Sequence, residues 1–362
     1  MSQRHLSAVI LAAGEGSRMK SDRPKPLHML CGKPMLSYVV EALEQASPTK
    51  IVVVVGHGAE QVTAKLATTT AASPLNFVLQ ESQNGTGDAV NVGLSAFAND
   101  LGDDQADLLV LPGDTPLLRA ETMAELVHAH RSSGAAATVL TAVMDDPTGY
   151  GRMVRGRDQS ILRIVEERDA TNDERQINEI NTGIFCFQRA LLAPALRRLT
   201  PDNAQGEYYL TDVVEVLAEA GYQVGSYAAP EAYETQGVND RLQLAQAEAA
   251  LRRRTNEFWL RQGVTMVDPA TTYLDTTVRL SSDVTLFPGV LLQGDTVVGP
   301  NTQIGANSHL IDCEIDRDVT LDQTVGNGAV VEAGAVVGPF AYLGPGSRVA
   351  FGQHTGAFYT SP

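Results

Sequence analysis

The stretch Leu11-Ala-Ala-Gly-Glu-Gly-Ser-Arg-Met19, with Pro24-Lys25 just beyond it, follows an apolar run, Ala8 to Leu11, that reads as a buried strand. Gly14 and Gly16 remove β-carbons where the backbone must turn sharply and where a bulky anion must come close. The amides so exposed suit phosphate, and Arg18 and Lys25 supply the charge that a polyphosphate needs. The spacing is neither the dinucleotide-binding G-x-G-x-x-G nor the Walker G-x-x-x-x-G-K-[ST], so those two mechanisms lose ground.

Outward from this loop, strand and helix signals alternate. Ile51 to Val55 is a β-branched run fit for a strand buried on both faces, ended by Gly56-His57-Gly58. Asn76 to Gln80, Leu108 to Leu111, Ala137 to Val143, Ile161 to Val165 and Ile184 to Phe187 read as further strands. Pro34 to Ala46 and Glu121 to His130 carry helical patterns between them. Such alternation predicts an α/β fold with a doubly wound, mostly parallel sheet, whose ligands bind at the carboxyl ends of the strands.

The chain has 362 residues, enough for two domains with a core each. Its formal net charge of −16 argues against a nucleic-acid or membrane-surface partner. Cys31, Cys186 and Cys313 are odd in number and far apart, which suggests neither a disulfide framework nor a zinc site. The N-terminus has no charged region followed by a long apolar one, and no apolar run is long enough to span a bilayer. A soluble, cytoplasmic protein without membrane insertion is expected.

Asp114 closes the apolar run Leu108 to Leu111 in Pro-Gly-Asp-Thr-Pro. A carboxylate there, beside a phosphate loop, reads either as a cap of the turn before Pro116 or as a ligand for Mg²⁺, which takes one or two carboxylates with phosphate and water oxygens. Asn239 in Gly237-Val-Asn-Asp-Arg-Leu reads either as a helix N-cap or as that metal's second ligand. Gln80-Glu-Ser-Gln-Asn-Gly-Thr-Gly-Asp-Ala89 is a second glycine loop opening a helix, and Tyr150-Gly-Arg152, Ile164-Val-Glu166, Glu179-Ile-Asn-Thr-Gly-Ile184 and Gln205 to Asp212 follow.

In this order the motifs resemble the family of bacterial bifunctional N-acetylglucosamine-1-phosphate uridyltransferases and glucosamine-1-phosphate acetyltransferases, over essentially the whole chain. The loop L-x-x-G-x-G-[TS]-R-M-x(4)-P-K is similar to the signature of sugar-1-phosphate nucleotidyltransferases at large. The resemblance implies UTP and N-acetylglucosamine 1-phosphate as substrates, UDP-N-acetylglucosamine as product, and Mg²⁺ held by Asp114 and Asn239. It implies catalytic roles for Arg18 and Lys25. Leu11, Ala13, Gly14, Gln80, Gly85, Thr86 and Gly113 would bind the nucleotide, the Gln80 to Thr86 segment reading uracil. Gly151, Glu166, Asn181, Glu207 and Tyr209 would line the sugar pocket. Another sugar-1-phosphate nucleotidyltransferase and a non-catalytic scaffold are the alternatives, and retention of Lys25 and Asp114 speaks against the second.

The domains expected are residues 1–239 for nucleotidyl transfer, 240–263 as a connecting helical arm, and 264–362 as repeats. Leu286, Leu292, Val298, Ile304 and Leu310 recur every six residues. After an interruption around Cys313 to Thr324 the period resumes at Val325, Val331, Val337, Leu343, Val349 and Thr355. A six-residue aliphatic period marks a parallel β-helix. In this family it is left-handed and usually trimerises, so a homotrimer is implied. Relatives continue for more coils and carry Arg-Leu-Arg-Pro-Gly where this chain reads Tyr342-Leu-Gly-Pro-Gly346, with Ser361-Pro362 where a basic residue would follow. A truncated β-helix without acetyltransferase activity is therefore expected, and His354 reads as a solvent-facing coil residue.

Overall fold

The computed structural model describes residues 4–67, 73–97 and 106–361; Pro362, the expected end of the repeats, lies outside them. The chain divides into two compact units. One runs to His28 and resumes from Pro34 to Gln243; the other takes Met29–Lys33 and the residues from Leu244 onward.

The chain opens with β1 (Leu6–Ala12), then a short ribbon of β2 (Met29–Leu30) and β3 (Lys33–Pro34), then α1 (Met35–Ala42). β4 (Lys50–Val55), α2 (Ala59–Leu66), β5 (Leu75–Leu79), α3 (Thr86–Leu94), β6 (Asp107–Pro112) and α4 (Ala120–Ser133) alternate after it. β7 (Ala137–Val143), a hairpin of β8 (Gly151–Arg155) and β9 (Ile161–Val165), β10 (Glu179–Gln188), α5 (Arg189–Leu196), α6 (Asp212–Glu219) and β11 (Val224–Ala228) follow. Helix α7 (Arg241–Arg261) begins in the first unit and ends in the second.

The main sheet runs β11-β7-β10-β6-β1-β4-β5, with β8 and β9 attached beside β10. Alternate residues of β1 face opposite layers: Val9 joins one apolar cluster, Ala8 and Ile10 the other. Val52 and Val53 of β4 divide the same way, which is why the run Ile51 to Val55 is β-branched throughout. The sheet is mixed rather than uniformly parallel, because β10 runs antiparallel to both β6 and β7. Its ladder with β7 shifts between Asn181 and Phe185, so Thr182 and Gly183 leave the regular pairing beside the end of β6.

The second unit stacks short parallel strands into three five-stranded sheets, a three-faced β-helix. The inward ladders are Met266, Leu286, Ile304, Leu321 and Val337; Leu274, Leu292, Leu310, Gly326 and Leu343; and Leu280, Val298, Ile315, Val331 and Val349. Left-handed backbone at Asp283, Asn301, Asn307, Asp312 and Asp318, which short polar side chains tolerate, accompanies the coil turns.

Two details of the repeat differ from expectation. The segment Cys313 to Thr324 is no interruption: it holds the strands Glu314–Ile315 and Thr320–Leu321, the first reached by a step shortened from six residues to five and the second by a full step of six. One further five-residue step brings Gly326, not Val325, onto the inner ladder, and Val325 faces outward. A β-carbon on Gly326 would stand 3.0 Å from Leu310 and 3.1 Å from the Cys313 sulfur, so those side chains fill the space a sixth residue would have supplied. His354 is exposed and pairs through its backbone with Val336.

Among the described residues no helix is long and apolar enough to cross a membrane.

Candidate active site

The loop after β1 is braced from three sides through one atom, the Ala13 carbonyl oxygen. It accepts from the His57 amide (3.4 Å) and from Gln83 Nε2 (2.8 Å). A β-carbon on Gly56 would come within 2.5 Å of it, so the Gly-His-Gly turn after β4 is glycine where it touches the loop. Gly113 N donates to Leu11 O (2.8 Å), tying the end of β6 to the end of β1. Gly16, in left-handed backbone, packs so tightly on Lys25 that its missing β-carbon would stand 2.7 Å from Lys25 Cβ.

These strand ends wall a cleft of about 510 Å³ in the first unit. Leu11, Ala13, Gly14, Lys25, Gln80, Gly85, Thr86, Gly113, Asp114, Gly151, Glu166, Asn181 and Glu207 all line it. Three expected residues do not. Asn239 and Arg18 meet its wall through Lys25: Lys25 Nζ donates to Asp114 Oδ2 and to Asn239 Oδ1 (2.8 Å), and Arg18 donates to the same Asn239 oxygen (2.9 Å). Tyr209 lines a separate pocket behind Glu166.

The two readings of Asn239 resolve in the hydrogen bonds. Asp240 caps α7, its Oδ1 accepting from Gln243 N (2.8 Å), while Gln243 Oε1 accepts from the Asn239 amide (2.7 Å). The Asn239 side chain is thereby left to the cations. Val238 N donates to Asp114 O (2.8 Å), which holds this segment against the end of β6.

On the opposite wall, two loops pair through their backbones. Tyr208 N donates to Asn84 O, and Gly87 N donates to Tyr208 O, both at 2.8 Å. Thr86 Oγ1 accepts from Leu210 N (3.0 Å), and Gln80 Nε2 donates to Asp88 Oδ2 (2.7 Å). Glu166 accepts from Thr211 Oγ1 (3.0 Å); burial pushes its carboxyl above the usual range, the nearby Asp169 charge adds to this and the Thr211 hydroxyl opposes it. Burial, and secondly the Asp114 charge, likewise raise the Tyr150 phenol. Arg152, fully buried, donates to Glu167 (2.7 Å) and to the Tyr150 carbonyl, fixing the turn that presents Gly151.

Gln83, Tyr150, Thr182 and Thr211 belong to the cleft and were not singled out from sequence. All four lie inside the motifs read from sequence, but their contacts do not show there: Gln83 acts on a carbonyl 70 residues away, a pairing no local pattern records.

Among the described residues no group of three or more His, Cys, Asp or Glu could hold a metal ion. The set at hand is one carboxylate and one amide oxygen brought onto a common cation, Lys25. That suits a hard divalent ion that completes its shell with water and phosphate oxygens.

A glycine-rich turn at the carboxyl edge of an α/β sheet, carrying Lys25 and Arg18 against Asp114 and Asn239, defines a nucleotidyltransferase. Residues 8–218 match the family of the MobA-like NTP transferase domain. The chain is 48% identical over 308 residues to the bifunctional protein GlmU of Exiguobacterium sibiricum, covering 85% of this chain and 67% of that one. It is 47% identical over 312 residues to the bifunctional protein GlmU of Lactobacillus johnsonii (86% and 66%), and 45% over 315 residues to that of Thermobifida fusca (87% and 65%). The chain belongs to the GlmU family. It spans about two thirds of the length of these relatives.

Proposed function

We propose that the first unit transfers a uridylyl group from UTP to N-acetylglucosamine 1-phosphate, releasing pyrophosphate and giving UDP-N-acetylglucosamine. The observation that carries this reading is the convergence of Lys25, Arg18, Asp114 and Asn239 on one side of a single cleft whose other side holds Glu166, Asn181 and Gly151. Lys25 and Arg18 would bind triphosphate oxygens and stabilise charge as a sugar-phosphate oxygen attacks the α-phosphorus in line and pyrophosphate leaves. Glu166 and Asn181 would orient the sugar by accepting from its hydroxyl and amide groups. Asp114 and Asn239 would hold Mg²⁺, which when bound neutralises phosphate charge. The Gln80 to Thr86 segment, with an amide, a hydroxyl and exposed backbone, suits a pyrimidine edge. Little covalent chemistry falls to the protein, so positioning dominates.

For the second unit we propose assembly rather than acetyl transfer, since Tyr342 and Gly344 stand where the family's turn carries two arginines. Tyr273, Val325 and Tyr342, all on the outer face of one sheet of the β-helix and each about half exposed, support a homotrimer built on that face. The setting proposed is the cytoplasm.

The deciding experiment measures pyrophosphate release from UTP and Mg²⁺ with a panel of hexose 1-phosphates, and acetyl transfer from acetyl-CoA to glucosamine 1-phosphate on the same preparation. Release with N-acetylglucosamine 1-phosphate alone, and no acetyl transfer, is expected. Preference for another nucleotide or sugar would replace the substrate assignment, and acetyl transfer would overturn the assembly reading.

A further inference from the structure

The sequence holds two Asn-Gly pairs, Asn84-Gly85 and Asn327-Gly328. An asparagine before glycine is chemically labile, because without a β-carbon on the following residue its backbone nitrogen can reach the side-chain amide carbon. Both asparagines are exposed, so exposure does not separate them. Hydrogen bonding does. Asn327 closes the strand Val325–Asn327 of the β-helix, and Gly328 N donates to Ile311 O (2.8 Å). Asn84 lies in the loop between β5 and α3, where among the described residues neither its side chain nor Gly85 N has a hydrogen-bond partner. The Asn84 carbonyl accepts from Tyr208 N (2.8 Å), which polarises the peptide and favours loss of the Gly85 amide proton.

We propose that Asn84 is a site of spontaneous deamidation that ages the nucleotide side of the cleft. Gly85 N, giving up its proton, bonds to the Asn84 side-chain amide carbon. The bond from that carbon to the side-chain nitrogen breaks, and the nitrogen leaves with the proton as ammonia. The succinimide so formed takes up one water. Opening at the side-chain carbonyl gives aspartate; opening at the main-chain carbonyl gives isoaspartate, in which the chain runs through the β-carbon. Water is the only co-reactant.

Either product places a new carboxylate beside Glu207, at the edge of a cleft that would take a polyphosphate. Isoaspartate also inserts a methylene before Gly85 and turns the carbonyl that accepts from Tyr208 N into a free carboxylate. The loop has no room for this: a β-carbon on Gly85 would already stand 2.6 Å from the Tyr208 carbonyl oxygen and 2.9 Å from Glu207 Cβ. Gly85 and Thr86, which line the cleft, shift with the insertion. The chemistry at Asn84 requires no particular nucleotide; only the loss of UTP turnover rests on the proposed function.

The test incubates the full chain at mildly alkaline pH in water enriched in heavy oxygen, which tags each site hydrolysed during the incubation, and maps its peptides by mass spectrometry. Asn327 is the internal control, since its glycine amide must first leave the ladder. Conversion at Asn84 is expected to outpace that at Asn327 by about tenfold or more, the scale in rate for giving up one hydrogen bond. Pyrophosphate release from UTP on the same samples should fall in step with isoaspartate at position 84, whereas Asn84→Ser, followed against its own starting rate, should not decline in this way. Equal conversion at the two asparagines, or an unchanged Asn84 over a period in which a synthetic peptide of the same loop converts, would overturn the site. Conversion with undiminished turnover would overturn its effect on the cleft. The mass readings need no substrate, so a chain inactive from the start would refute the proposed function and leave the site standing.

Discussion

Lys25 Nζ donates to Asn239 Oδ1 across 2.8 Å, although 214 positions separate the two residues in the chain. The same ammonium bonds the Asp114 carboxylate. Three loops therefore meet on one positive charge, and removing it should leave a fold of near-normal stability with a disabled site. Lys25→Ala is expected to lower kcat by about 10²–10³, the scale for losing one preorganised charge donor. Steady-state pyrophosphate release checks this, and near-normal turnover would refute the assignment.

Asp114 is the carboxylate of the pair that would hold the divalent ion, with Asn239 contributing only a neutral oxygen. Asp114→Asn keeps the shape and removes the charge. The Mg²⁺ concentration for half-maximal rate should rise by about tenfold or more. Identical metal titrations for the two proteins would remove Asp114 from the metal site.

Legibility from sequence followed the range of the forces involved. The loop from Leu11 to Lys25 was readable because turn geometry and anion binding act over a few neighbouring residues, and thirteen of the expected residues do line one cleft. The β-branched run Ile51 to Val55 announced burial on both faces. Strand direction left no mark, since a two-residue period is the same read either way; hence the antiparallel course of β10 was not anticipated. Tyr209 lies two residues from Thr211, yet one lines the separate pocket behind Glu166 and the other the cleft, a division set by the start of α6. The shortened coils escaped for a similar reason: Gly326 offers no aliphatic side chain to count, and Cys313 fills its place from a neighbouring position.

Burial raises both Glu166 and Asp212, and each raised carboxyl penalises the folded state when ionised. For Asp212, pushed up to about 6, the penalty is full above pH 6 and fades as pH falls toward the unfolded value of 3.8. Asp212→Asn should therefore stabilise the protein near pH 7.5 by about 1 kcal/mol once the exposure of the group is discounted, or about 2–4 °C in Tm. The gain should vanish near pH 4. A thermal shift independent of pH would show that the carboxylate is not the cause.

Glu166 gives the kinetic counterpart. Ionised, it accepts hydrogen bonds from sugar hydroxyls; protonated, it loses most of that capacity. KM for the sugar phosphate should rise as pH falls through the raised Glu166 value, while KM for UTP changes little. Thr211→Val removes the hydroxyl that opposes the shift, so the rise should begin at higher pH in that variant, and Thr211→Ser should restore the original profile. Superimposable profiles for all three proteins would sever Thr211 from Glu166.

Gly14 and Gly85 separate binding from folding. At Gly14 an added β-carbon meets nothing within 4 Å and would project from the loop that lines the cleft. At Gly85 it would stand 2.6 Å from the Tyr208 carbonyl oxygen, in backbone at φ +107° that side chains rarely adopt. Gly14→Ala should therefore leave Tm within about 1 °C and raise KM for UTP, because the methyl takes space that a phosphate needs. Gly85→Ala should cost about 1–3 kcal/mol of stability by prising apart the two loops, with the nucleotide affinity falling as a consequence. Thermal melts beside UTP kinetics decide it: a destabilised Gly14→Ala, or a Gly85→Ala with unaltered melting, would mean that the glycines of the cleft serve the opposite purposes.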